Sequence, residues 1–231
     1  MILIGSGALL VRALETISVA NITIDCVICP KGEPTLKRLI KSGVKVIESE
    51  NHNYDLALQL LNVTDANVLS INNKTILVDE LLSKEFQFFN IHNGLTQRYR
   101  GIAEVCVFAA VCHGAREYGA TLHRIMPKQL VDTGPIISQS SFVVPRLATF
   151  ESLFDKSLEN VQTLLTSSLS KFSELGKTCE VDRNSRTLNY GEIKHLVEQS
   201  PKDRVTRACE LGIYRGLLPK LASAVSRALP L

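Results

Sequence analysis

Apolar residues in the first seventy positions fall into short runs separated by stretches with helical spacing. Ile2-Leu3-Ile4 reads as a short buried strand, Gly5-Ser6-Gly7 as a tight turn, and Ala8 to Ile17 as a helix with Leu9, Leu10 and Leu14 on its apolar side. A second strand is predicted over 22–29, a helix over about 34–42 behind Pro34, and a third strand over Val44-Lys45-Val46-Ile47. A helix over 54–61 and a fourth strand, Ala66-Asn67-Val68-Leu69-Ser70-Ile71, come next. This alternation is the signature of βαβ units. It predicts an α/β fold, a mostly parallel sheet with helices on both faces.

Beyond residue 80 the rhythm changes. Phe86-Gln87-Phe88-Phe89-Asn90-Ile91-His92 reads as a strand with a polar end, 102–112 as a buried helix, and Tyr118–Met126 with Pro135–Val144 as a hairpin. Thr149 should cap a long amphipathic helix reaching about Leu175, with Leu153, Leu158, Val161, Leu165, Leu169 and Phe172 on one face. Past Asp182 the composition turns basic: residues 183–231 hold nine Lys and Arg against four Asp and Glu. The chain is therefore expected to divide into a main α/β domain, 1–182, and an appendage, 183–231. The appendage should comprise a hairpin around Thr187–Ile193 and a basic amphipathic helix with Ser200 as cap and Pro201 at its first position. Pro219 should break that helix and begin a last turn or two. Such a tail reads either as the solvated face of a docked helix or as a surface for phosphates, a partner or a membrane, and a homodimer would use this region.

Composition narrows the function classes. With 45% hydrophobic and 21% charged residues, the 231-residue chain is neither disordered nor fibrous, and +3 is too weak a net charge to argue for nucleic acid. No apolar run approaches the roughly 18 residues of a membrane span, and Met1-Ile2-Leu3-Ile4 has no basic stretch of the kind that opens a signal peptide. A soluble cytoplasmic protein is expected. The six cysteines fit that setting as buried reduced thiols. Cys26 and Cys29 form a lone C-x-x-C on a strand, where residues three apart face opposite ways, so no metal site is expected.

Two places carry candidate chemistry. Gly5-x-Gly7 lacks the third glycine of a dinucleotide fingerprint, since Leu10 stands in its place, which argues against NAD. The turn is either close packing or an anion seat at a helix N-terminus. The sharper signal is Asn90-Ile91-His92. Two residues apart on a strand, the amide and the imidazole share a face at the carboxyl end of a sheet strand, where open α/β sheets place their sites.

The run Asn90-Ile91-His92-Asn93-Gly94-Leu95-Thr96-Gln97-Arg98-Tyr99-Arg100-Gly101 resembles the Asn-x-His signature loop of the folate-dependent formyltransferases. Gly119-Ala120-Thr121-Leu122-His123 and Asp132-Thr133-Gly134-Pro135-Ile136-Ile137-Ser138-Gln139 are similar to that family's next two blocks, in order. The likeness covers about residues 1–175 and implies a Rossmann-like formyltransferase fold. It departs at Gly94-Leu95-Thr96-Gln97, where the family usually reads Ser-Leu-Leu-Pro, and the stretch from Thr121 to Asp132 is about two residues longer than usual.

The resemblance implies transfer of a formyl group from 10-formyltetrahydrofolate to an amine. Asn90 would be the oxyanion-hole donor and His92 the base that takes the amine's proton. Asp132, which on its own reads as a turn residue, would orient His92 or hold a relaying water; His123 would stand nearby, behind the reacting groups. By the same resemblance, Lys74, Thr75 and Ile76 with Gln129, Leu130 and Val131 would hold the folate, largely through main-chain groups. Gly5, Ser6 and Gly7 with Arg98, Tyr99 and Arg100 would face the acceptor. Some 50 residues after Asp182 cannot supply the β-barrel of a methionyl-tRNA formyltransferase, and Gly5-Ser6-Gly7-Ala8 lacks the Ser-Asn pair of the glycinamide ribonucleotide enzyme. The acceptor is therefore expected to be a nucleotide-linked amino sugar. Formylation of an amino-acid or peptidyl amine or of glycinamide ribonucleotide, hydrolysis of the donor, and a binding protein that kept the fold are the alternatives.

Overall fold

The computed structural model describes residues 1–63, 67–82, 86–172 and 187–229. The chain opens with β1 (Ile2–Gly5), α1 (Gly7–Val19), β2 (Cys26–Pro30), α2 (Leu36–Lys41), β3 (Val46–Ser49), α3 (His52–Leu60) and β4 (Asn67–Ile71). It continues through α4 (Asp79–Leu82), β5 (Gln87–His92), α5 (Ala103–His113), β6 (Glu117–Arg124), β7 (Ile136–Val143) and α6 (Phe150–Ser168). Then come α7 (Glu192–Gln199), α8 (Lys202–Cys209), α9 (Tyr214–Leu217) and α10 (Pro219–Ala228). The strands form a seven-stranded sheet in the order β3-β2-β1-β4-β5-β6-β7. Pairings β2–β3, β1–β2, β1–β4 and β4–β5 are all parallel. This is the mostly parallel α/β sheet the pattern predicts and the Rossmann-like fold the resemblance implies.

Two compact units divide the chain. One is Met1–His92, Leu122–Ser138 and Gln162–Cys179; the other is Asn93–Thr121, Gln139–Val161 and Glu180–Leu231. The boundary expected at Asp182 lies outside the described residues.

In the first unit the register explains the burial. Ile2 pairs with Cys26 and Val68, and Val68 with Phe88; these side chains join Leu56, Leu60, Leu77 and Leu81 in one core cluster. One position along, Leu3 pairs with Val27 and Leu69, and Leu69 with Phe89; all four are fully buried and point to the opposite face. Both faces are covered, which is why these strands read as continuous apolar runs rather than alternating ones. The same period sets Asn90 and His92 on the Phe88 face and turns Ile91 the other way.

Gly5 allows no side chain. A Cβ there would lie 1.8 Å from the Ile71 carbonyl oxygen of the adjoining strand, so β1 and β4 close up only around a glycine. Gly5→Ala is expected to cost about 1–3 kcal/mol through enforced backbone displacement, read as a lowered denaturation midpoint with an unchanged slope.

In the second unit, α5 is buried almost all round. Cys106, Phe108 and Val111 share a core cluster with Ile193 and Leu196 of α7, Ala208 of α8, and Leu221 and Val225 of α10. The basic tail is thus an integral part of this unit.

Several boundaries differ from expectation. β2 starts at Cys26 rather than 22, because the backbone before it serves the N-terminus: the Met1 ammonium donates to the Thr23 carbonyl at 2.8 Å and to the Asp25 carboxylate at 2.7 Å. Thr149 caps α6 through Oγ1, which accepts from the Ser152 N–H. The α-helix gives way after Ser168 to a short 3-10 turn, Leu169–Lys171; the expected end at Leu175 lies outside the described residues. No hairpin forms over the described residues 187–193. Leu188 makes one parallel bridge with Gly101, and Asn189 folds the chain into α7, its Oδ1 accepting from the Gly191 N–H at 2.8 Å. The next helix begins one residue late: Pro201 is its cap residue, with its carbonyl accepting from Arg204 and Val205. It ends at Cys209, well before Pro219, which opens the ten-residue α10 instead of a last turn or two.

Candidate active site

The end of β5 delivers Asn90 and His92 on one face, and the loop before β7 delivers Asp132 to them. His92 Nδ1 lies 3.4 Å from Asp132 Oδ2. Asn90 Nδ2 lies 3.2 Å from Asp132 Oδ1. Asp132 and His92 are buried and Asn90 half-buried. The cluster lies wholly within the first unit.

Asp132 owes its place to a strained local geometry. Its φ is +57°, in the left-handed region that Asp tolerates better than most residues. Leu130's carbonyl accepts from both the N–H and the hydroxyl of Thr133, which closes the turn. A Cβ at Gly134 would sit 1.7 Å from the Arg124 carbonyl oxygen, and the Arg124 N–H donates to the Pro135 carbonyl at 2.9 Å. The Asp-Thr-Gly sequence thus lays the turn directly against β6.

β6 brings a fourth group that the sequence reading set behind the reacting ones. His123 Nε2 lies 3.4 Å from Asp132 Oδ1 and 3.2 Å from Asn90 Nδ2. Its Nδ1 lies 2.9 Å from the Arg124 carbonyl oxygen, which only accepts, so Nδ1 carries a hydrogen. The Asn90 amide nitrogen donates to Asp132 and lies within hydrogen-bond distance of His123 Nε2 as well. The signal for His123 was its place in the Gly119–His123 block; its distance to Asp132 is a tertiary fact that no spacing shows.

The segments expected at the folate are tied to the same unit. Thr75 is looped onto Asn73, which donates to its carbonyl and accepts from its N–H, both at 3.0 Å. Asn53 donates to the Ile76 carbonyl and accepts from the Val78 N–H. The Lys128 N–H donates to Asp79 Oδ1 at 2.9 Å, so Gln129-Leu130-Val131 runs next to the end of that segment. Ile76 is 72% and Leu130 64% exposed, and Lys74 is exposed.

The expected acceptor residues fare differently. Gly5, Ser6 and Gly7 stand at the same sheet edge, but the Gly7 N–H donates to Glu33 Oε1 at 3.1 Å, so an internal carboxylate sits where an anion was expected. In the second unit, Tyr99 is core: its ring packs on Tyr118 and His113, and burial pushes its hydroxyl up to about 12. Arg100 is buried as well, and only Arg98 is exposed. The altered loop there is held firmly: Thr121 Oγ1 donates to the Gly94 carbonyl at 2.8 Å, and Gln97 forms a two-way amide pair with Gln139 at 2.9 Å. Gln139 also donates to Thr121 Oγ1. The residue in place of the usual proline therefore replaces rigidity of the ring with a hydrogen-bonded clasp.

Among the described residues no set of three His, Cys, Asp or Glu side chains is arranged to hold a metal ion. The described cysteines are all free thiols, and burial pushes Cys26 and Cys29 up to about 11, which suits packing and not nucleophilic chemistry. Cys179 lies outside the described residues. No described helix is long and apolar enough to cross a membrane.

An amide, an imidazole and a carboxylate are thus gathered at the carboxyl end of β5 in an α/β sheet. The formyl transferase family model matches residues 27–169, more than half the chain, and the chain belongs to that family, the folate-dependent formyltransferases. It is 26% identical over 194 residues to a methionyl-tRNA formyltransferase of Caldanaerobacter subterraneus subsp. tengcongensis, covering 80% of this chain and 60% of that protein's length. In structure it is similar to an N-formyltransferase from Helicobacter canadensis solved with folinic acid and dTDP-3-aminofucose (TM-score 0.73, 19% identity, 94% of this chain and 81% of that one). It is also similar to a sugar N-formyltransferase from Shewanella sp FDAARGOS_354, with a TM-score of 0.68, 18% identity, and 99% and 87% of the two chains covered.

Proposed function

We propose that the protein is an N-formyltransferase that moves a formyl group from 10-formyltetrahydrofolate to a primary amine, most fittingly that of a nucleotide-linked amino sugar. The observation that carries the reading is the convergence of Asn90 and His92, both at the end of β5, on Asp132 at 3.2 and 3.4 Å. The donor fits this unit: exposed Ile76, Leu130 and Val131 offer apolar surface to a flat pterin, next to main-chain groups of 74–76 and 129–131. The donor supplies an electrophilic formyl carbon. Asn90 then offers an N–H to the oxygen that gains charge as the amine adds, a contribution of about 10²–10³ in rate. His92, with Nδ1 turned to Asp132, takes the amine's proton at Nε2 while Asp132 steadies the imidazolium that forms; as the bond between the formyl carbon and the donor nitrogen breaks, that proton passes to the departing nitrogen, leaving tetrahydrofolate and the formylated amine.

Two similar structures favour the amino-sugar acceptor: the Helicobacter canadensis enzyme was solved with dTDP-3-aminofucose, and a sugar 3N-formyl transferase, WlaRD, with dTDP and 5-N-formyl-THF. A second reading, hydrolysis, has its own neighbour, a formyltetrahydrofolate deformylase from Pseudomonas syringae with a TM-score of 0.64. Incubation with 10-formyltetrahydrofolate and a panel of amines separates the readings, followed by mass spectrometry of the products. The panel comprises a dTDP-linked amino sugar, free amino acids, a peptide amine and glycinamide ribonucleotide. Mass gain of a formyl group on the dTDP-linked sugar is the expected result. Formate released without any amine would make the protein a hydrolase, and no turnover of the donor would overturn the proposal.

A further inference from the structure

The turn after β1 has the form of an anion seat, yet it is already filled from within. Glu33 follows β2, 26 residues beyond Gly7, and is 5% exposed. Its Oε1 accepts from the Gly7 N–H at 3.1 Å, from the Thr35 N–H at 3.0 Å and from the Thr35 hydroxyl at 2.7 Å. Gly7 is the first residue of the thirteen-residue α1, so the carboxylate sits where the unpaired N–H groups and the helix dipole favour negative charge. The register Gly5–Ile71–Ile91 puts this turn at the same sheet edge as His92, two strands away, roughly 10 Å by strand spacing. Ser6 and Asn72 close the gap between them: Ser6 Oγ donates to the Asn72 carbonyl at 2.8 Å, and Asn72 Nδ2 donates to the Ser6 carbonyl at 3.0 Å.

We propose that Glu33 is a specificity residue: a built-in counter-anion that closes the α1 N-terminus to phosphate and so turns phosphate-monoester amines away from this side of the site. The inference rests on the reading of this sheet edge as the acceptor side. A phosphate monoester seated at Gly7 would need the N–H that Glu33 holds and would stand against a buried like charge, so the fixed anion both occupies the position and repels a second anion. A nucleotide-linked acceptor, by contrast, keeps its diphosphate between sugar and nucleoside and is free to bind with those charges elsewhere. The device therefore separates acceptors by where their phosphates lie.

The test is a titration of the full chain with inorganic phosphate, followed by the amide resonances of Gly7 and Ala8 in ¹⁵N-labelled protein. Wild-type protein is expected to show no saturable shift of these amides up to tens of millimolar phosphate. Glu33→Ala, which empties the seat, should bind phosphate there at least tenfold more tightly. Glu33→Gln keeps the size and an acceptor oxygen, guards against a misfolded alanine variant, and should also gain binding once the charge is gone. Saturable binding by the wild type, or no gain in either folded variant, would overturn the proposal. The titration needs no turnover, so its failure leaves the formyl-transfer reading standing, and failure of the amine panel leaves the titration interpretable.

Discussion

Replacing His92 by Asn is expected to lower kcat by about 10²–10⁴, or roughly 2.7–5.4 kcal/mol in the barrier, while the folded protein and its affinity for the formyl donor change little. The ring is buried at the end of β5 with Nδ1 3.4 Å from Asp132. Asparagine keeps a donor for that carboxylate at smaller volume, so the variant leaves no orphaned charge and only a small void. What it loses is the ring nitrogen that takes up the amine's proton, and the amine then has no partner for that proton except water. Steady-state kinetics with the best acceptor of the panel, set beside donor binding by fluorescence and a thermal melt, separate this outcome from unfolding. Wild-type turnover in a folded variant would remove His92 from the base role, and His123, 3.4 Å from the other carboxylate oxygen, would take its place.

Much of this arrangement is legible along the chain because it depends on periods. Asn90 and His92 share a face by strand alternation, and the rows Ile2–Cys26 and Leu3–Val27 separate by the same rule. Asp132 stood out only through its likeness to a family block, since Asp-Thr-Gly by itself is turn chemistry; the φ of +57° at Asp132 and the closeness of Gly134 to Arg124 explain why that turn has this composition. What local pattern could not show were meetings between distant stretches. Glu33 reaches Gly7 across 26 positions, and Tyr99, with an arginine on either side, turns into the core against Tyr118. The tail shows the same limit. Asn189-Tyr190-Gly191 is a genuine turn signal, but the chain leaves it as a helix because Ile193 and Leu196 find apolar partners around α5, and among the described residues no second strand lies there to complete a hairpin.

Asp132→Asn is expected to cost activity on a scale similar to the loss of His92, about 10²–10⁴ in kcat, by a different route. Asparagine accepts the left-handed backbone as readily as aspartate, so the turn between Leu130 and Gly134 survives. Alanine at this position would add a backbone penalty of about 1–2 kcal/mol and confuse a catalytic loss with a structural one. The substitution removes the negative charge facing His92 Nδ1 and His123 Nε2, and it replaces an oxygen that accepts from Asn90 with an amide that points its own N–H or C=O into the cluster. The imidazolium formed as the amine gives up its proton then has no counter-charge, and Asn90 loses the acceptor that aims it. Because both residues act on one proton transfer, the double variant His92→Asn, Asp132→Asn should be little slower than either single one, a non-additivity that independent sites do not give. Costs that multiply instead would mean that Asp132 serves the fold or Asn90 alone, and the coupling of carboxylate to imidazole would have to be abandoned.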